Sequence, residues 1–194
     1  MRREELQALQ APLKQRYRED PGAGVVTLRA QGALADAAVA CSVQTGRAVV
    51  EAGLHPASGG DGSLACSGDM LLQALVACAG VTLRAVAVNR GIDLAGGRVI
   101  AEGELDFRGT MAVDREAQVG FRAIRLHFEL EPASGGDDID TLLALTERYC
   151  VVYQTIARGV PVEITHDGPT DAAKRPQLQP RSRASFCRPA AHPR

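Results

Sequence analysis

Two apolar stretches decide the reading of this chain: Asp69–Asn89 (DMLLQALVACAGVTLRAVAVN) and Asp140–Arg158 (DTLLALTERYCVVYQTIAR). Each has the length of a major helix. Each carries a cysteine, Cys78 in the first and Cys150 in the second. Ser67 or Asp69 can cap the first helix and Gly91 can end it. Because it is apolar almost all round, it is expected at the centre of the structure or in a subunit interface. Its apolar run from Met70 to Val88 is interrupted by Gln73 and Arg84, which reads as a buried helix rather than a membrane span.

Strand-like sequence lies around and between these helices. Residues 3–19 predict a charged amphipathic helix ended by Asp20-Pro21-Gly22. Val25–Gln31, Ala37–Gln44 and Arg47–Glu51 read as strands, with Thr45-Gly46 a tight turn between the last two. The Gly/Ser stretch Gly53–Gly68 is a long loop, and such loops are often functional. Arg98–Arg108 and Gly120–Glu131 (GFRAIRLHFELE) alternate with period two. In the second, Phe121, Ala123 and Arg125 share one face with His127 and Glu129, and Ile124, Leu126, Phe128 and Leu130 share most of the other. This predicts a half-buried antiparallel pair. Val160–Thr165 is expected as a closing strand.

The chain has 194 residues, enough for one domain with tails, and no tryptophan, so Leu, Val, Ile and Ala must build the core. The reading divides it into an N-terminal helix (1–23), a main domain (24–168) and a basic tail (169–194). The tail is rich in Pro, Arg and Ser, has no apolar period and is expected to be disordered. The stretch from Asp171 onward holds six basic residues and one acid, which leaves 16 basic against 22 acidic residues elsewhere. So acidic a body argues against nucleic-acid binding. The N-terminal MRREELQALQ lacks the apolar region of a signal peptide. Five cysteines at irregular spacing, without an export signal, predict a reduced, cytoplasmic protein.

Only a thiolate is a good nucleophile, and burial raises a thiol pKa. The helix neighbours of Cys78 are Ala74, Leu75, Val81 and Thr82, none charged, so an activating cation has to come from another segment or subunit. Cys150 has Thr146, Glu147, Tyr153 and Gln154 around it. Glu147 disfavours a thiolate, which suits Cys150 to the role of second, resolving thiol. On spacing alone both cysteines also fit as small core residues.

The segment Asp69-Met-Leu-Leu-Gln-Ala-Leu-Val-Ala-Cys78 resembles the first cysteine helix of the OsmC/Ohr family, and Glu147-Arg-Tyr-Cys150 with Val151-Val152 is similar to its second. Gly91-Ile92, a DFRG strand (Asp106–Gly109) and the GFRAIRLHFEL strand also fit, so the resemblance spans roughly residues 24–166. It implies an α+β fold with an antiparallel β-sheet wrapped around two long central helices, built as an intertwined homodimer. It further implies a thiol-dependent peroxidase for oxidative stress defence. Cys78 would attack an organic or inorganic hydroperoxide, Cys150 would resolve the product as a disulfide, and a dithiol reductant would restore both, with no cofactor or metal. The family places a Glu ten residues before its first cysteine, where this chain has Gly68 with Asp69 one step later. The family's activating Arg comes from the N-terminal strand or its loop, where Arg29 and Arg47 are the available cations. The resemblance therefore implies Cys78, Cys150, Asp69, Arg29 and Arg47 as site residues.

Other candidates are weaker. His55 with Asp61 fits a solvated loop, Cys66 a neutral loop thiol, and Arg84 a charge that reaches a surface or an acid. No metal-ligand spacing links His55, Cys66, Cys78 and Cys150. GGDGS lacks the Lys-Ser/Thr of a phosphate loop. No membrane or nucleic-acid partner is expected. The alternative function is a non-catalytic small-molecule or lipid binder that uses an apolar cleft and keeps its cysteines for packing.

Overall fold

The structure, a computed structural model, describes residues 2–25, 32–34, 40–44, 49–132 and 137–165. The main body runs to Val160. A second unit starts at Pro161, and its described residues 161–165 hold no helix or strand. The closing strand expected over Val160–Thr165 is therefore not formed. Alternating apolar residues supply a face, which by itself does not make a strand. The ladders of the two described sheets end elsewhere, at β4 Ala65–Cys66 in one and within the pair β5 Leu94–Leu105 and β6 Phe121–Pro132 in the other. The expected basic tail, the turn at Thr45-Gly46 and, apart from Val25, the strand over Val25–Gln31 lie outside the described residues.

Helix α1 (Arg3–Glu19) forms where the sequence places it. Its start is held by Arg2 and Glu5, whose side chains and backbone close a reciprocal cap, with Arg2 Nε donating to Glu5 at 2.8 Å. Its end is set by Asp20, which accepts the Gly22 N–H at 3.0 Å. The first sheet contains β1 (Gly32–Leu34), β2 (Ala40–Gln44), β3 (Val49–Gly53) and β4 in that order. The first three pair antiparallel. The two-residue β4 pairs parallel to β3, setting Ala52 beside Ala65 and Gly53 beside Cys66.

Strands β5 and β6 form the antiparallel pair that the alternation predicts, with Val99 opposite Phe128 and Ala101 opposite Leu126. Ile124, Leu126, Phe128 and Leu130 are the half-buried face. The outer face carries ion pairs from Arg98 to Glu129 (2.6 Å) and from Arg125 to Glu102 (3.3 Å) and Glu104. The DFRG segment departs from expectation. It is a helical turn, α3 (Phe107–Thr110), not a strand. Asp106 ends β5 by accepting the Arg108 N–H at 3.1 Å, the geometry of a helix cap. Paired also with the Arg108 guanidinium, its carboxyl is pushed down to about 2.

At the start of helix α2 (Ser67–Arg90) the N-cap position is held by Cys66, not by Ser67 or Asp69, and its side chain makes no capping hydrogen bond. It ends at Gly91, whose φ of +72° suits a residue without Cβ and lets its N–H reach back to Ala87 and Val88. Leu75, Ala79, Leu83 and Ala87 are buried and recur every four residues, so they form one stripe along the helix. That stripe packs on β5 and on the second helical region. The core proper joins Leu83, Ala87, Leu94 and Leu142, with Phe128, Leu130, Ile139 and Leu143 around it. Away from the stripe the helix remains apolar and uncovered, Val81 being 72% exposed.

The second helical region also differs from expectation. Instead of one helix over Asp140–Arg158 there are two, α4 (Asp137–Tyr149) and α5 (Val151–Arg158). Cys150 stands between them in an extended conformation, φ −72° and ψ 109°. Val151 and Val152 follow, and β-branched residues hold a helix less firmly than straight-chain ones. The whole is a mixed helix-and-sheet chain, in keeping with the expected class.

Leu142 is fully buried at the centre of this core. Leu142→Ala is expected to destabilise the protein by about 2–5 kcal/mol, read as a lower urea midpoint at unchanged slope.

Candidate functional site

Cys78 lies on α2 just beside the buried stripe, three residues after Leu75 and four before Thr82, so it shares a helix face with Thr82. Helix α2 packs on both α4 and α5. That packing brings the Cys78 sulfur against Cys150 and the start of α5. Two sulfurs remote in the chain thus meet. Both are free thiols, Cys78 half-buried and Cys150 only 1% exposed.

The break at Cys150 determines what surrounds the sulfurs. The ladder of α4 closes with Cys150 N–H donating to Thr146 O (2.9 Å), and that of α5 opens with Gln154 N–H donating to Cys150 O (2.9 Å). The amides of Val151, Val152 and Tyr153 lie between these two bonds, at a helix N-terminus where N–H groups have no acceptor within the helix. They face the sulfurs instead. Burial pushes the Cys78 thiol up. The N–H of Val152, the Cys150 thiol, the N–H of Val151 and the Thr82 hydroxyl together outweigh it and bring the thiol below its ordinary value. Each of these donors favours the anion, and a helix N-terminus adds its partial positive charge.

Cys150 moves the other way. Burial raises its thiol, and the neighbouring Cys78 raises it further, against the N–H of Tyr153 and Val152. The pair is therefore asymmetric: Cys78 is the sulfur more readily ionised, and Cys150 the one that holds its proton and donates it. Glu147, which the sequence sets one turn before Cys150, accepts the Tyr153 hydroxyl at 2.8 Å and is not among the groups acting on either thiol. The asymmetry expected from Glu147 is present, but its causes are burial and the neighbouring sulfur.

The remaining site residues stand elsewhere. Asp69 is in the first turn of α2, nine residues before Cys78. At about 100° and 1.5 Å per residue that is half a turn round the helix and roughly 13 Å along it. Within one chain Asp69 and Cys78 do not meet, and Asp69 instead borders a depression with Leu72, Gln73 and Val76. Arg29 and Arg47 lie outside the described residues. Among the described residues no guanidinium is one of the groups acting on Cys78. Arg84 donates to the Leu94 carbonyl at 3.0 Å. His55 accepts the Ala57 N–H at Nδ1 (3.0 Å), which leaves the ring proton on Nε2 when neutral, and stacks on Phe107 with centroids 4.9 Å apart. His55, Cys66, Leu71, Phe107 and Phe121 line part of a cavity of about 590 Å³ at the start of α2.

The sequence reading missed the freed amides, because it took Cys150 for a mid-helix residue. The available signal was the Val151-Val152 pair after it, which is weak. A pattern of helical spacing does not reveal a single extended residue.

The family model for OsmC-like protein matches residues 60–165. Solved structures with similar folds include an OsmC-like protein from Mycoplasma pneumoniae, with TM-score 0.58 at 16% identity, covering 70% of this chain and 89% of that one. An organic hydroperoxide resistance protein OsmC from Legionella pneumophila gives 0.54 at 18% identity, over 70% of this chain and 92% of its own. An organic hydroperoxide resistance protein from Elizabethkingia anophelis gives 0.55 at 17% identity, over 70% and 90%. At these identities the likeness is one of fold. No curated protein matches the chain.

With Cys78 lowered and Cys150 raised, brief treatment with iodoacetamide near neutral pH is expected to label Cys78 well ahead of Cys150. Labelling of Cys78 should rise with pH and level off below the pH at which an ordinary thiol does. Peptide mass spectrometry reads both, and equal labelling of the two cysteines would contradict the asymmetry.

Proposed function

Since the chain belongs to the OsmC-like protein family, we propose that it is a thiol-dependent hydroperoxide reductase acting through Cys78 and Cys150. The observation that carries this reading is the meeting of the two thiols at the start of α5, with the first lowered and the second raised. The Cys78 thiolate attacks the outer oxygen of a hydroperoxide. The O–O bond breaks, the leaving alkoxide takes a proton and departs as an alcohol, and Cys78 becomes a sulfenic acid. Cys150 then attacks that sulfur. A disulfide forms, water leaves, and the thiol proton of Cys150 goes with it. A dithiol reductant restores both thiols by exchange.

The position of Cys150 suits the second step. Its sulfur already adjoins Cys78, so resolution needs little rearrangement. Its raised pKa keeps it protonated during the first step, as a hydrogen-bond donor to the attacking thiolate. The acid at Asp69 and a cation from Arg29 or Arg47 complete the arrangement only if another segment or a second copy carries them to Cys78. We propose an intertwined homodimer for this reason, its antiparallel sheet wrapped around the two long helical regions. The uncovered apolar face of α2, with Val81 72% exposed and Leu71 40% exposed, supports the same assembly.

A second reading, binding without catalysis, is favoured by the cavity at the start of α2, whose volume suits a small apolar molecule.

The two readings separate by counting thiols. One equivalent of cumene hydroperoxide added to the reduced protein is expected to remove two free thiols within minutes. Cys78→Ser should lose none. Cys150→Ser should stop at a sulfenic acid that dimedone traps on Cys78. Unchanged thiols in the wild type would leave the binder. For the assembly, sedimentation is expected to give twice the chain mass for the wild type and a shift towards single chains for Val81→Glu.

A further inference from the structure

In an uninterrupted helix the Val151 N–H would donate to the carbonyl four residues earlier, that of Glu147. Here that carbonyl is taken by a side chain: Gln154 Nε2 donates to Glu147 O at 2.8 Å. Glu147 is held a second time, through its side chain, since the Tyr153 hydroxyl donates to its carboxylate at 2.8 Å. Tyr153 and Gln154 thus reach back across the break from the first turn of α5 and fasten the last turn of α4. A carbonyl that would draw Val151 back into a continuous helix is already satisfied.

We propose that Gln154 is a positioning residue for Cys78: its amide stands in for the Val151 N–H at the Glu147 carbonyl and so frees the Val151 and Val152 amides to face the Cys78 sulfur, with Tyr153 and Glu147 bracing the same break. The inference bears on the thiolate that the peroxidase reading requires, and adds to it the means by which that thiolate is held. It accounts for an anion-favouring site built from backbone. The groups on Cys78 are the Val151 and Val152 amides, the Thr82 hydroxyl and the Cys150 thiol. Among the described side chains of α2, α4 and α5, the other titratable or charged ones are Asp69, Arg84 and Arg90 on α2, Asp140, Glu147, Arg148 and Tyr149 on α4, and Tyr153 and Arg158 on α5. None of these is among the groups acting on Cys78. Hydrogen bonds to a charged acceptor are among the stronger ones, so losing aligned amides is expected to be visible in the titration of the sulfur.

The test follows the alkylation rate of Cys78 against pH, by peptide mass spectrometry on the full chain, independently of any peroxide. Gln154→Met keeps the size of the side chain and removes the donor. It should raise the Cys78 midpoint enough to cut its labelling near pH 7 by about three- to tenfold, a tenfold loss being one pH unit. Tyr153→Phe should move it in the same direction by less. Glu147→Gln keeps an acceptor for the Tyr153 hydroxyl and should hold the midpoint at or below that of the wild type. Leu94→Ala, a core truncation at the start of β5, should lower thermal stability and leave the midpoint in place. A midpoint unchanged in folded Gln154→Met and Tyr153→Phe would overturn the proposal. So would a midpoint that moves in Leu94→Ala as much as in Gln154→Met, since that would be general loosening. If the midpoints shift as expected and cumene hydroperoxide still consumes no thiol, the positioning role stands and the peroxidase reading falls.

Discussion

The buried stripe of Leu75, Ala79, Leu83 and Ala87 is the contact from which the rest of the structure follows. Two of its four members are alanines, so α2 can approach its neighbours closely, and a close approach leaves little freedom to slide or rotate. The rotation of α2 fixes which way Cys78 faces. Turned by one residue, about 100°, the helix would carry that sulfur away from α5. The core that surrounds Leu142 and the chemistry at Cys78 are therefore set by the same packing, one on the stripe and one at its margin.

Chemical asymmetry between the two sulfurs arises without a nearby opposite charge among the described residues. A lone buried thiol is expected to rise in pKa, and Cys150 does. Cys78 falls because a helix begins beside it and a hydroxyl and a second thiol donate to it. Backbone amides cost no side-chain entropy to orient, and they cannot swing away as a long guanidinium side chain can. Their strength is limited, however, and a fixed partial charge acts over short range. An arrangement of this kind favours an anion at one atom and leaves its neighbour under quite different influence.

Much of this was legible in the sequence, and the failures are instructive. The alternation over Gly120–Glu131 predicts both the strand and its buried face, because period two is a property of single residues in order. The first helix and its stop at Gly91 were equally plain. Other features were misread. Asp106 alternates with its neighbours as a strand residue would, but its side chain competes for the backbone and starts a helical turn. Val160–Thr165 has the pattern of a strand, but among the described residues it belongs to neither sheet. The second helix looked continuous because its apolar period carries through the break, with α4 and α5 each amphipathic in its own right. At the break a pair of side-chain bonds, from Tyr153 and Gln154, holds Glu147, at spacings of six and seven residues that ordinary helix rules do not weigh. At the site itself, helical spacing could list the neighbours of Cys78 on its own helix. It could not foresee that the decisive neighbours are main-chain groups of another.

Between Cys78 and Cys150 the chain runs through β5, α3, β6 and α4, including the whole of the second sheet. A covalent link between the two sulfurs would turn that span into a closed ring. On the chain-entropy account a ring of this size removes about 4 kcal/mol of freedom from the unfolded protein. The linked molecule would then resist heat and proteases better than the one with two free thiols.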